Sequence, residues 1–396
     1  MKRSLLALPG VILLVLLSVL PAGASPAGPF SAISDGNTGL AVQLYRELGA
    51  QEGNLFFSPY SISSAMAMTY AGARGETAAQ MKSTLSFRLE QAGLNSGFRS
   101  LNKLLDENAK TSGQKLSIAN ALVLTGGNVS DVYRKILTTY YDAGIFGGGL
   151  EEINGWVKTK TEGKIDRILE QLSANSVCVI LNAIYFKGVW ETQFDKKRTL
   201  DLPFKLSDGA EVKTPFMNRK GDLKLLDEKD FQALSLPYKG NTLSMVVLLP
   251  KTVDGLAALE DALYAQDLKG WLAKLDKQKN QKAWVYLPKF KLETKYDLGA
   301  PFQKMGMKDA FSPAADFSGM GWKKGDLWIG QIKHRAFVEV NEEGTEAAAA
   351  TAVEMVTKSA PPRELVFRAD HPFMFLIRDN ETGTILFLGR VANPGK

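Results

Sequence analysis

Two histidines, His334 and His371, and one cysteine, Cys178, are the chain's whole supply of imidazole and thiol. No HExxH, GxSxG or CxxC pattern surrounds them, so neither a metal centre nor a serine or cysteine nucleophile with its base can be assembled from spacing. Cys178 leads into the apolar run VILNAIYF, where burial would raise the thiol pKa and leave a small hydrophobe. His334 precedes the strand-like AFVEV and His371 sits in DHPF, and both read as hydrogen-bonded structural residues. The expectation is no catalytic residue, no metal and no cofactor. The informative chemistry is chemistry done to the chain, in the segment NEEGTEAAAATAVEMVTKS at 341–359.

Read with period two, Thr345, Ala347, Ala349, Thr351, Val353 and Met355 share one face of that segment. Glu346 and Glu354 fall on the other, with Ala348, Ala350 and Ala352 between them. The nearest prolines, Pro361 and Pro362, lie beyond it, so every backbone N–H could join a ladder. A surface helix competes on alanine content alone. The neighbours favour a connection between strands, because AFVEV (336–340) precedes the segment and FMFLI (373–377) follows it. Long connections of this kind commonly carry function.

The elements that would position the segment carry a resemblance. EEGTEAAAAT (342–351) resembles the hinge of inhibitory serpins, NAIYFKGVW (182–190) a strand of their central sheet, and DHPFMFLIRDNETGTILFLGRVANP (370–394) their C-terminal hairpin. NLFFSPYSISSAMAMTYAGARGET (54–77), LSIANAL (116–122), INGWVKTKTEGKI (153–165), LPYKGNTLSMVVLLP (236–250) and LPKFKLETKYDL (287–298) follow the family's order as well. The resemblance implies an α+β serpin fold: three β-sheets, about eight or nine helices, and an exposed reactive-centre loop at about 342–362.

Residue by residue, it makes Glu342, Glu343, Gly344, Thr345, Glu346, Ala347, Ala348, Ala349, Ala350 and Thr351 the loop hinge. Seventeen positions, counting Glu342 as the first, end on Lys358, which makes Lys358-Ser359 the reactive bond. Met355-Val356 is the second candidate and would suit an elastase- or chymotrypsin-like protease. Ser58, Ser61, Asn182 and His334 match the polar cluster called the shutter, and Trp190, Lys289 and Glu342 match the breach at the top of the sheet. The implied function is irreversible suicide inhibition of a trypsin-like serine protease, which is held as a covalent complex while the cleaved loop enters the central sheet. Thr345 would be the first side chain to enter. The alternatives are a non-inhibitory serpin (carrier, chaperone or storage protein) and a cross-class inhibitor of a cysteine protease. The chain departs from the family pattern at YDAGIFGGGLEEI (141–153) and ILEQLSANSVCVIL (168–181), both short, on either side of the helix that lies over the central sheet.

Composition sets the outer limits. Hydrophobic content of 45% supports a large core, and no linker or repeat divides the chain, so one domain over 25–396 is expected. Residues 1–24 have the charged, apolar, small-residue order of a secretory signal, which predicts a secreted protein, extracellular or, in a bacterium, periplasmic. A single cysteine excludes an intrachain disulfide, and Asn128 and Asn380 open glycosylation sequons. The net charge of +6 is mild. Losing Lys2 and Arg3 with the signal takes away two of the 48 Lys and Arg, against 42 Asp and Glu, and leaves +4, which argues against a nucleic-acid partner; a monomer with no membrane contact once the signal is gone is expected. The densest basic stretch, Lys269, Lys274, Lys277, Lys279 and Lys282 with Trp271 and Trp284, offers weak polyanion binding or a solvated helix face.

Overall fold

The computed structural model describes residues 30–124, 126–171, 178–345 and 364–395. Among them are nine α-helices and fifteen strands, which form two hydrogen-bonded sheets, one of six strands and one of nine. The sequence of helix Pro59–Gly72 is apolar or small all round, and every one of its residues is buried, as the central helix of a large core must be. Ser58 caps it by accepting a hydrogen bond from the Ser61 N–H, and Pro59 follows at the first helical position, where its missing N–H costs nothing.

The central sheet runs in the order Phe290–Asp297, Ile329–Asn341, Gly344–Thr345, Cys178–Val189, Lys115–Leu124, Gly144–Phe146. Its inner strands are covered on both faces. Alternation along them sends Ala119, Ala121, Val123, Val179, Leu181 and Ala183 to one side, where they pack with Ile153 and Val157 of helix Leu150–Lys160. Leu122, Leu124, Cys178, Ile180 and Ile184 point the other way, into the main core that includes residues of helix Pro59–Gly72.

The nine-stranded sheet turns on its long strand Glu211–Asp227, which pairs with three others. Its first part pairs with Leu200–Lys205 and then with Asn280–Pro288, which carries the short edge strand Leu365–Arg368 in parallel. Its last residues pair with Phe231–Pro237, and the ladder continues through Leu243–Pro250, Phe373–Asp379 and Ile385–Val391 to Leu55–Phe57.

The short stretch at 141–153 is absorbed locally. Asp142 takes a left-handed conformation at φ 48°, the edge strand Gly144–Phe146 lasts only three residues, and Gly149, at φ 90°, turns directly into helix Leu150–Lys160. The covering helix therefore survives the compression, held by a small apolar cluster of its own. Ile153→Ala is expected to cost about 2–4 kcal/mol in urea unfolding, because that cluster is too small to close over the cavity. An unchanged midpoint would mean the helix does not clamp the sheet.

Candidate functional site

The site is the seam between strands Cys178–Val189 and Ile329–Asn341. From Ile329 to Phe337 the two strands pair directly and in parallel, with His334 opposite Asn182. Above that they diverge, and the two-residue strand Gly344–Thr345 fills the gap, antiparallel to both: Thr345 opposite Val340 and Gly188, Gly344 opposite Asn341 and Val189. The hinge has thus already begun to enter the sheet. The loop is expected over about 342–362, and its first four residues, Glu342, Glu343, Gly344 and Thr345, are buried. Thr345, expected to be the first to enter, is already in place with no exposed surface.

Several contacts hold this wedge. The Thr345 and Tyr238 hydroxyls are 2.8 Å apart, and the Tyr238 ring stacks on Trp190 at 4.6 Å between centroids. Trp190 donates its indole N–H to the Asn341 carbonyl at 3.0 Å and its backbone N–H to the Glu343 carbonyl at 3.0 Å. Glu342 takes the Lys289 ammonium at 3.0 Å and the Thr199 hydroxyl at 2.7 Å, while Lys196 pairs with Glu343. Burial pushes the Glu342 carboxyl up, but the Thr199 and Lys289 hydrogen bonds and the Lys289 charge outweigh it and hold the pKa below the usual range. Gly344, at φ 151°, has no room for a side chain, since a Cβ would overlap the Gly188 carbonyl.

Lower down, a polar row crosses the sheet inside an apolar core. The Ser58 N–H donates to His334 Nε2 at 3.2 Å, so the ring's proton is on Nδ1, which donates to Asn182 Oδ1 at 2.5 Å. The Asn182 amide donates to the Ser61 carbonyl at 3.0 Å and to Asn120 Oδ1 at 2.6 Å, and it also contacts the Ser61 hydroxyl. Asn120 passes the chain on to the Ser64 hydroxyl at 3.2 Å, and Ser58 Oγ donates to the Leu386 carbonyl at 2.6 Å. Tyr296, opposite His334 on the outer strand, lies nearly parallel to its ring. Burial pulls the His334 pKa down to about 3, which fits a neutral ring with both nitrogens engaged.

The structure brings Ser58, Ser61, Asn182 and His334 together, and likewise Trp190, Lys289 and Glu342. Glu346, Ala347, Ala348, Ala349, Ala350, Thr351, Lys358 and Ser359 lie outside the described residues. Tyr238, Thr199, Lys196, Asn120 and Ser64 were not anticipated. Asn120 carried a signal, as the one amide inside LSIANAL on the core-facing register. Tyr238 and Thr199 carried none, because they come from loops beside other strands. The basic stretch at 269–282 does not make one face: it divides between helix Ala265–Asp276 and strand Asn280–Pro288, Lys269 pairs with Asp35, Lys274 pairs with Glu228, and Trp271 packs on Phe231. Cys178 is buried, which pushes its pKa up to about 12, and His371 is fastened between the Asp370 carboxylate and the Pro250 carbonyl. Among the described residues no group of His, Cys, Asp and Glu could hold a metal ion, and no helix is long and apolar enough to cross a membrane.

A hinge wedged into a closed sheet agrees with the family model described as serpin (serine protease inhibitor), which matches residues 35–394. The chain is a serpin. It is similar to serpin B8 of Bos taurus, 40% identical over 380 residues that cover 92% of this chain and 100% of the relative. Leukocyte elastase inhibitor of Sus scrofa is 41% identical, over 91% of this chain and 99% of the relative. Among solved structures, human thyroxine-binding globulin superposes with a TM-score of 0.83 at 30% identity, covering 93% of this chain and 100% of that one. The thermophilic serpin tengpin in its native state gives 0.82 at 29%, over 95% and 96%. Serpin relatives of this kind are protease inhibitors rather than catalysts.

The comparisons correct the expectation of secretion. The matched relatives, serpin B8, serpin B6 and leukocyte elastase inhibitor, are intracellular serpins without signal peptides, so the signal-peptide, secreted and extracellular assignments made from residues 1–24 are withdrawn. Those residues lie outside the described part of the chain.

Two outcomes test the seam. His334, with a pKa of about 3 when folded against about 6.5 when unfolded, binds more protons in the unfolded state between those values. Its stabilisation is therefore complete above pH 6.5 and falls by about 1.4 kcal/mol per pH unit as pH drops toward 3. The urea midpoint measured from pH 7 to 4 should fall less steeply in His334→Asn than in the unmodified protein, and parallel curves would remove His334 from the account. Gly344→Ala should unseat the wedge, with hydrogen exchange over 338–345 at least about tenfold faster, a loss of more than 1.4 kcal/mol in local protection.

Proposed function

We propose that this serpin is a suicide inhibitor of trypsin-like serine proteases, with Lys358-Ser359 as the bait bond. The observation that carries the reading is the parallel seam capped by the antiparallel Gly344–Thr345 wedge, because a strand continuing from Thr345 has a prepared path between two strands that now pair with each other. The protease serine attacks the Lys358 carbonyl, an acyl-enzyme forms, and Ser359 leaves as a new amino terminus. The freed hinge then enters the seam. Ala347, Ala349 and Thr351 follow Thr345 on the buried face, and their small size lets the strands part by one strand width without repacking the core. The shutter residues Ser58, Ser61, Asn182 and His334, and the breach residues Trp190, Lys289 and Glu342, serve as the two latches that open.

The magnitudes suffice. About fourteen residues at ~3.3 Å each carry the tethered protease roughly 45 Å. A dozen ladder bonds at about 1 kcal/mol each, with the burial of the small face, yield on the order of 10 kcal/mol, comparable to the stability of a whole domain. Pulling on the acyl bond with that energy distorts the oxyanion hole and stalls deacylation. Serpin loop insertion is a known case of stored strain released by cleavage, and it is applied here to this chain.

A second bond, Met355-Val356, is favoured by one finding, the similarity to a relative named leukocyte elastase inhibitor. Incubation with trypsin or with an elastase, followed by denaturing electrophoresis and amino-terminal sequencing, separates the two. An SDS-stable adduct with trypsin and a released peptide beginning at Ser359 is the expected result. A peptide beginning at Val356 would move the bond, and cleavage that leaves active trypsin and no adduct would sink the inhibitor reading. Thr345→Arg, which places a charge on the buried face beside Tyr238, should convert inhibition into simple cleavage, raising the inhibitor needed per protease at least about tenfold.

A further inference from the structure

Beside the loop's C-terminal base lies a surface that the trapping mechanism does not use. Strand Asn280–Pro288 buries Ala283, Val285 and Leu287 completely and turns Lys282, Trp284 and Tyr286 outward. Trp284 stands between Lys220 and Val366 on the neighbouring strands, and Tyr286 between Asn218 and Arg368. Arg198 lies over the Trp284 ring at 4.9 Å and Arg368 over the Tyr286 ring at 4.3 Å. Glu364 accepts the Trp284 indole N–H at 2.6 Å and also pairs with Lys220, so the indole is fixed in place. Val366, beside Trp284, leaves 46% of its surface open to solvent.

Lys82, Lys110, Lys115 and Lys158 each have a carboxylate within 3 Å. Among the described residues Arg198 and Arg368, like Arg46 over the Tyr264 ring, have no carboxylate partner and lean on aromatic faces instead. A guanidinium stacked on a ring keeps its N–H fork directed at the rim and available to a carboxylate, with little side-chain entropy left to lose. Arg, Trp and Tyr are the residues that most often dominate binding energy at protein interfaces.

The occupant follows from chain length. Ser359 is five residues before Glu364, and five residues span at most about 18 Å. A protease domain of about 200 residues has a radius of gyration of about 16 Å, so an enzyme that holds the bond at 358–359 overhangs this sheet. We infer that the outer face formed by Arg198, Lys220, Trp284, Tyr286, Val366 and Arg368 is a docking surface for an acidic patch beside the active-site cleft of the target protease. It adds selectivity and encounter rate to the choice made by Lys358. The inference rests on the proposed inhibitor function.

The test compares the unmodified protein with the double variant Arg198→Gln, Arg368→Gln and, separately, Trp284→Phe, each checked for an unchanged thermal midpoint. Second-order rates of inactivation are measured against anionic and cationic forms of pancreatic trypsin, which share the same preference for Lys and Arg. The double variant should inactivate the anionic enzyme about tenfold more slowly at 50 mM salt, with the difference gone at 1 M and little change toward the cationic enzyme. Equal rates with both enzymes at low salt, while adducts still form, would overturn the docking surface alone. Loss of retention on immobilised heparin with equal protease rates would instead make the face a polyanion site and overturn it too. Absence of any adduct from the unmodified protein would overturn the inhibitor reading, and this inference with it.

Discussion

The whole structure depends on one pairing, the parallel seam between Cys178–Val189 and Ile329–Asn341. Parallel strands hold each other through slanted hydrogen bonds and somewhat less stability per residue than antiparallel ones. A strand continuing from Gly344–Thr345 would run antiparallel to both neighbours, as the wedge already does. One parallel ladder would be exchanged for two antiparallel ladders. On the proposed mechanism the closed sheet is a state whose hydrogen bonding can be improved only by breaking it first, which would make the fold metastable.

What keeps the seam closed is polar, and its chemistry explains why. An apolar seam of this length would gain nothing specific from the closed register and would be just as content to slip. The row Tyr296, His334, Asn182, Asn120 ties the register to particular atoms, and every nitrogen of His334 and Asn182 in it has a named partner. A buried network of this kind is stiff while complete and costly when half-broken, so it behaves as a threshold rather than a spring. The upper latch differs in kind. Lys289 with Glu342, and Lys196 with Glu343, are ion pairs whose lysines stand partly in solvent, so water is ready to take over when they part.

The buried strands and the period-two segment leave a local mark in the sequence, alternation in LSIANAL and small residues on one face, whereas the members of both latches were named only through family resemblance. Glu342 and Lys289 are 53 positions apart, and only family resemblance connected them before the 3.0 Å contact did. Tyr238 and Thr199 stayed invisible because their partners, Thr345 and Glu342, come from distant parts of the chain and nothing local specifies them. The resting position of the hinge was not legible in the sequence, for a related reason. Period two identifies which face of a strand is buried, but not how much of it has already entered the sheet. That depends on where the two neighbours diverge, which is above the pair Phe337 and Tyr185. The basic stretch at 269–282 was read as a solvated helix face or a weak polyanion site, and its lysines divide across a helix-to-strand turn.

The wedge also limits how the seam opens. Thr345 is held by the Tyr238 hydroxyl, Tyr238 is stacked on Trp190, and Trp190 grips the backbone at Asn341 and Glu343, so the top of the sheet moves as one body. On the proposed mechanism, entry of Ala347, the next residue on the buried face, requires no motion at this level beyond the gap that Thr345 already keeps open. It requires the strands to separate just beneath, where Phe337 sits opposite Tyr185 and, three registers further down, His334 opposite Asn182. The wedge sits within the intact upper latch and has not yet reached the lower one. On the proposed mechanism, insertion must also part the His334–Asn182 row below the mouth of the sheet. Changes at the breach should alter how far the hinge rests in the seam, whereas changes in the row should alter how fast the seam runs open once the loop is cut.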